Sequence, residues 1–259
     1  MTGSSVSADA LTYVGHATVL VERDGARLLT DPVLRGRVVH LRRQGGPVDV
    51  AALGRIDAVL ISHSHRDHLD LPSLRRVAGP DVTIVVPRGT GEEVASIGFG
   101  AVRELEVGTS TDIGGVRITA TPARHDSARH PFGAPGESVG YLIGADRSLY
   151  FAGDTDLFPE MAGLAERLDV ALLPVWGWGP TLGAGHLGPE SAAEALTLLR
   201  PRLAVPIHWG TLFPTGLARL RAALLSDPPH EFARAAARLA PAVDVRVLAP
   251  GESTPLSPE

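Results

Sequence analysis

The sequence predicts an α/β chain of the α+β kind, built as a pair of β-sheets covered by helices. Short β-type runs recur along the whole chain, and helical patterns are few and spread over both halves. Hairpin turns are too frequent for a regular βαβ alternation.

The elements follow in order. Residues 17–22 and 26–30 are β-type runs joined across Arg23-Asp24-Gly25, and Asp-Gly is a strong hairpin turn. Asp31-Pro32 ends the second run, because proline cannot donate to a ladder. A long loop is expected over 33–47, a length that usually carries function. Residues 57–62 (DAVLIS) are a continuous apolar run, as in a buried strand, and stop at His63. Asp70 is placed to cap a helix beginning Leu71-Pro72, where the missing N–H of proline costs nothing. Buried strands are read at 82–86, 170–173 and 204–207. Further strands are read at 102–107, 116–121, 138–143 and 148–152, the last two joined by a tight turn over 144–147. Residues 92–97 read as a short helix, and 189–199 as an amphipathic helix opened by Pro189. Two more helices are expected over 216–225 and 230–239, and a last strand over 243–248. The organisation expected is a flexible leader over 1–9, one domain over 10–251 and a Pro/Ser-rich tail over 252–259.

The bulk properties narrow the function. Hydrophobic residues are 44% and charged residues 20% of 259, a balance that excludes a disordered chain. The net charge of −5 gives no global positive field, so nucleic acid is not an expected partner. The absence of cysteine excludes disulfides, thiolate ligands and thiol nucleophiles. The opening MTGSSVSADA lacks the charged start and apolar stretch of a signal peptide. No apolar run approaches the roughly 20 residues that cross a bilayer. A cytoplasmic protein without a membrane anchor is expected. Its partners would be a small-molecule substrate and further copies of itself.

The sharpest feature is His63-Ser64-His65-Arg66-Asp67-His68, directly after an apolar strand. His63 and His65 are two apart, so in extended chain their rings leave on the same side. Asp67 and His68 fall on the turn into a helix. The loop offers two imidazoles to one metal, and a carboxylate with a third imidazole to a second. Nitrogen and oxygen donors suit zinc first, with manganese or iron as alternatives. His125, Asp154 and His208 each lie just past an apolar run, so each can stand at the same rim of a sheet sandwich.

This stretch resembles the HxHxDH motif of the metallo-β-lactamase superfamily. Further pieces match in order: Gly15-His16-Ala17-Thr18, Thr30-Asp31-Pro32, Pro122-Ala123-Arg124-His125, Gly153-Asp154-Thr155, His186-Leu187-Gly188-Pro189-Glu190 and Pro206-Ile207-His208-Trp209-Gly210. The likeness points to the branch containing N-acyl-phosphatidylethanolamine phospholipase D and ascorbate-phosphate lactonase. It implies a four-layer αββα sandwich with two divalent metal ions. His63, His65 and His125 would hold the first, Asp67, His68 and His208 the second, and Asp154 would bridge them. It also implies a hydrolase whose hydroxide, held between the ions, attacks a phosphodiester, lactone or related ester.

Other residues have supporting roles in this reading. Asp67 would orient the hydroxide, and His186 would give a proton to the leaving group. Asp31 would hold a ligand histidine by its second nitrogen, with His16 in a similar place. Arg124 and Arg129 flank His125 and would take an anionic substrate group. Trp176 and Trp178 would wall the pocket, and Arg35, Arg37, His40, Arg42 and Arg43 make the 33–47 loop cationic. Two other readings compete: a non-catalytic, metal-stabilised binding protein, and a nuclease of the same fold.

Overall fold

The computed structural model describes residues 9–126, 136–145, 148–164, 166–177 and 183–256. The first half of the chain lays down β1 (Ala10–Gly15), β2 (Thr18–Arg23), β3 (Ala26–Thr30), β4 (Arg37–Val38), β5 (Leu41–Arg43), β6 (Ala58–Leu60), α1 (Leu71–Val77), β7 (Thr83–Pro87), α2 (Gly91–Val94) and β8 (Ala101–Leu105). The second half adds β9 (Ser110–Ile113), β10 (Val116–Pro122), β11 (Val139–Ile143), β12 (Ser148–Phe151), β13 (Leu168–Pro174), α3 (Pro189–Leu199), β14 (Leu203–Ile207), β15 (Leu212–Pro214), α4 (Ala223–Leu239), β16 (Asp244–Val245) and β17 (Ser253–Pro255).

Two seven-stranded sheets result, in the orders β17-β1-β2-β3-β6-β7-β8 and β16-β14-β13-β12-β11-β10-β9, beside a three-stranded sheet β15-β5-β4. Period-two alternation sets the layers. Val19, Val21, Leu28, Ala58, Leu60 and Val85 share a core with Ile118, Ala120, Val139 and Tyr141 of the second sheet. Their chain neighbours Leu20, Leu29, Val59, Ile61, Ile84 and Val86 point the other way, onto Leu74 and Val77 of α1 and Val94 of α2. Ala192, Ala195, Leu196 and Leu199 of α3 and Phe232 and Ala236 of α4 cover the second sheet. The result is a four-layer αββα sandwich, as expected. A fully buried Leu or Ile contributes roughly 1.5–3 kcal/mol, so the two inner faces dominate stability. Among the described residues, no helix is long and apolar enough to cross a membrane.

Both sheets are tied together at one rim. Val139 N donates to Ser62 O at 3.0 Å, and His208 N to His16 O at 2.7 Å. Tyr141 Oη donates to Ile61 O at 2.7 Å. The strand ends that carry the histidines are therefore fixed across the sandwich before any ligand is considered.

Most local readings hold. The β2–β3 hairpin closes Arg23 on Ala26, with φ of 48° at Asp24 and 82° at Gly25, as a two-residue turn with both φ positive requires. The Asp70 carboxylate accepts from Ser73 N and caps α1. Helix α3 spans the residues read from sequence.

Four readings change. The 33–47 segment is not a plain loop: β4 and β5 form a hairpin there and pair with β15, burying Val33, Val38, Leu41 and Leu212. The helix expected at 216–225 gives way mostly to turns over 215–222, and the one expected at 230–239 is present but starts earlier, as a single α4 that runs through Pro228 and Pro229. Those prolines cost hydrogen bonds to the preceding turn, but they and Phe232 are buried along one face, and that packing carries the helix across them. The last strand shrinks to Asp244–Val245. Ser253–Pro255, inside the segment read as a tail, pairs with Ala10–Thr12 at the sheet edge. Residues 1–8 of the expected leader, and Asp146 and Arg147 of the expected 144–147 turn, lie outside the described residues.

Candidate metal centre

The site is assembled from strand ends. β6 stops at Leu60, and the chain then turns on itself, with His68 N and Leu69 N both donating to His65 O. That turn presents His63, His65, Asp67 and His68 together. β10 delivers His125, β12 delivers Asp154 and β14 delivers His208. Backbone strain concentrates here: His16, Asp31 and His208 hold φ of 59°, 31° and 65°, values that cost side-chain-bearing residues free energy and persist where the surroundings enforce them. Gly153 has φ 61°, and a Cβ there would lie 2.6 Å from Ser62 Cβ, so the residue before Asp154 must be glycine for the two sheets to approach.

The side chains form two adjoining groups. In one, the His63 ring centroid is 4.7 Å from that of His65 and 4.6 Å from that of His125. His125 Nε2 lies 3.1 Å from His65 Nδ1. In the other, His68 Nε2 and His208 Nε2 are 3.1 Å apart, and Asp67 and His16 complete the cluster. Asp154 stands between them. One of its oxygens is 3.3 Å from His68 Nε2 and 3.7 Å from His186 Nε2, and the other is 3.3 Å from His208 Nε2.

The second nitrogen of each ring fixes where its lone pair points. His68 Nδ1 donates to Asp31 Oδ2 at 2.7 Å, His208 Nδ1 to Trp176 O at 2.6 Å and His125 Nδ1 to Gly185 O at 2.9 Å. Ser62 Oγ gives its single proton to Asp31, so it accepts from His63 Nδ1 at 2.9 Å. When neutral, all four rings thus aim bare Nε2 lone pairs inward. Lone pairs of His68 and His208 face one another with no hydrogen between them unless a proton or a metal ion is supplied. Two buried atoms, His63 Nε2 and Asp154 Oδ1, have no hydrogen-bond partner, each a cost of about 1–3 kcal/mol if left so.

The electrostatics favour a cation. Burial holds the His63 imidazole well below the ordinary range, and drives His125 down to about 4 and His16 down to about 3. Burial also lowers His65 and His208. His68 goes the other way: burial opposes its charging, but the Asp154 and Asp31 carboxylates outweigh that and raise it. Burial likewise opposes ionisation of Asp154, yet His208 and His68 keep it well below the carboxylate range. For Asp67 the hydrogen bond from His16 and the charge on His68 overcome burial in the same sense. Except for His68, the imidazoles are held neutral beside ionised carboxylates, the protonation states a divalent metal requires, and the carboxylate field that charges His68 would equally favour a cation there, so the donor set fits one.

A family model described as a beta-lactamase superfamily domain matches residues 26–209, a span that contains Asp154 and every member of both groups except His16. The chain belongs to the metallo-β-lactamase superfamily. Within that superfamily it is 34% identical over 255 residues to a protein of Methanopyrus kandleri named a metal-dependent hydrolase, covering 94% of this chain and 98% of that one. It is 33% identical over 234 residues to N-acyl-phosphatidylethanolamine-hydrolyzing phospholipase D 1 of Caenorhabditis elegans, covering 79% of this chain and 64% of that one. A solved metallo hydrolase from the archaeon Ignicoccus hospitalis superposes with a TM-score of 0.72 at 27% identity, over 96% of this chain and 98% of that one.

The remaining sequence-derived residues of this superfamily member are placed as follows. His186 lies at the outer edge, its Nδ1 3.3 Å from Gly183 O. His16 Nε2 is 3.2 Å from Asp67 Oδ2. The Trp176 ring is buried against Phe213, so it reaches the site through its carbonyl and not as a wall. Arg124 is exposed and faces Glu160 and the Phe158 ring. Arg43 is no substrate ligand: it is buried and bonds Val14 O and Val33 O. Arg35 is bound to Asp70. Arg129 and Trp178 lie outside the described residues. Sequence reasoning gave no role to Ser62 or Gly153 and missed the carbonyls of Gly185 and Trp176. Ser62 and Gly153 directly precede His63 and Asp154, and adjacency was the one signal that could have found them.

Proposed function

We propose that the chain is a dinuclear metal-dependent hydrolase acting on a phosphodiester, lactone or related ester. The observation that carries this reading is the convergence of inward lone pairs whose protons are committed elsewhere, with the Asp154 carboxylate between them. His63, His65 and His125 would hold one ion, Asp67, His68 and His208 the other, and Asp154 both, with zinc best suited to the donors. When bound, such ions supply Lewis acidity that activates water and stabilises the developing oxyanion.

The chain's own residues then divide the work. Asp31 fixes the tautomer and direction of His68, as an outer carboxylate does for a ligand histidine. Asp67, kept ionised by His16, accepts a hydrogen bond from water and aims it. His186, at the open edge, is within reach to protonate a leaving-group oxygen, a contribution of typically 10²–10⁴-fold. No amino-acid nucleophile is needed.

Metal analysis of protein purified without added metal, paired with a panel of phosphodiesters and lactones, tests the reading. Two ions per chain and turnover that a chelator abolishes are expected. A His65→Ala variant should lose most of the metal and the activity while keeping its circular dichroism; unchanged metal content would falsify the ligand assignment. Two bound ions with silence on the whole panel would turn the case toward a binding protein.

A further inference from the structure

The three-stranded sheet carries a surface that the metal centre does not use. Its contributing segments, 33–48 and 211–226, hold six arginines and no Asp or Glu, in a chain of net charge −5. Arg35 and Arg43 are tied down within the fold. Arg42 and Arg219 are exposed. With Arg43, Gly45, Gly46 and Gly216 they line a cleft of about 640 Å³. The turns after β4 and β15 also carry exposed aliphatic side chains: Val39 is 57% exposed, Leu217 46% and Leu220 78%. These are three of the five large hydrophobic residues exposed among those described.

The turns that carry them are tied together. Thr215 bonds the carbonyl of His40 through both N and Oγ1, and Leu220 N bonds Leu217 O. The β4–β5 turn and the turn after β15 are thereby held side by side. Exposed aliphatics at two adjoining turns, backed by arginines with no carboxylate beside them in sequence, match the boundary of a bilayer that carries negative lipids. The tips would enter the acyl region, and the guanidinium groups would take phosphate oxygens. A second copy of the chain fits less well, since a two-fold contact would set arginine against arginine. A nucleic acid would answer the arginines and leave the tips in water.

We propose that this face docks the protein on an anionic phospholipid surface. The proposal does not depend on the hydrolytic reading. Flotation of the full-length protein with phosphatidylcholine vesicles, with and without phosphatidylglycerol, tests it. Binding is expected only with phosphatidylglycerol present, and should weaken as salt rises. Leu217→Asp with Leu220→Asp, and separately Arg42→Glu with Arg219→Glu, should each weaken it about tenfold or more. Metal content and thermal midpoint should stay unchanged, as expected for exposed positions. No partition onto the anionic vesicles, equal partition onto neutral ones, or binding that both double variants retain would overturn the proposal. So would a dimer that the Leu217→Asp, Leu220→Asp pair takes apart in sedimentation while vesicles bind nothing.

Discussion

Asp31 shows how much a single buried carboxylate can organise. It is fully buried, and it accepts from Ser62 N, Ser62 Oγ and His68 Nδ1. An Asp31→Asn variant places an NH₂ where acceptors are required. Metal affinity should fall 10–100-fold, measured by competition with a chromophoric chelator; an unaltered affinity would show that His68 needs no such support. Of the seven candidate ligands, His63, His65, Asp67 and His68 were legible as one dense motif after an apolar run; only with the resemblance which that motif opened were His125, Asp154 and His208 legible too. The partners that fix their tautomers were not. A main-chain carbonyl such as that of Gly185 or Trp176 leaves no residue-type signature, and its position depends on chain closure far away in sequence.

At the scale of elements, the glycine before Asp154 is the tightest constraint. Gly153→Ala combines a left-handed φ with an overlap against Ser62 Cβ. It should destabilise the protein by roughly 1–3 kcal/mol, read as a lower denaturation midpoint at unchanged slope. A midpoint equal to that of the parent would mean that the strand ends have slack. The elements read well from sequence were those whose signal is local: the Asp24-Gly25 turn, the Asp70 cap and the Pro189 start of α3. Those misread depend on distant partners. β4 is two residues long and exists because β5 pairs with β15, some 170 residues later in the chain. β1 and β9 were not read at all: β1 carries no turn signal of its own, and β9 (STDI) is a mostly polar edge strand. α4 persists through two prolines because of what lies under them.

The whole molecule couples its histidines to stability. Without metal, burial keeps His16 near 3 and His125 near 4, against 6.5 for an ordinary imidazole. Between those values the unfolded chain binds protons that the folded rings refuse, so stability falls as pH drops from about 6.5 toward 3. His68 is shifted upward, so its contribution is complete below 6.5 and fades as pH rises through its folded value. The metal-free protein should therefore be most stable near neutrality and lose midpoint on both sides. A metal ion takes the place of the His68 proton, so the metal-loaded protein should lose the alkaline decline. Thermal melts across pH, with and without chelator, check both branches; a metal-free midpoint that climbs steadily into alkali would contradict the His68 assignment.

The strand ends that meet at the rim come from opposite slabs: His63, His65, Asp67 and His68 from one, His125, Asp154 and His208 from the other. An ion gripped by both is a rivet as well as a reagent. Stripping it should loosen the slabs against each other, with amide exchange quickening at Ile61–Ser62 and at Val139–Gly140 together. Exchange confined to one slab would mean that the backbone seam alone keeps the halves in register.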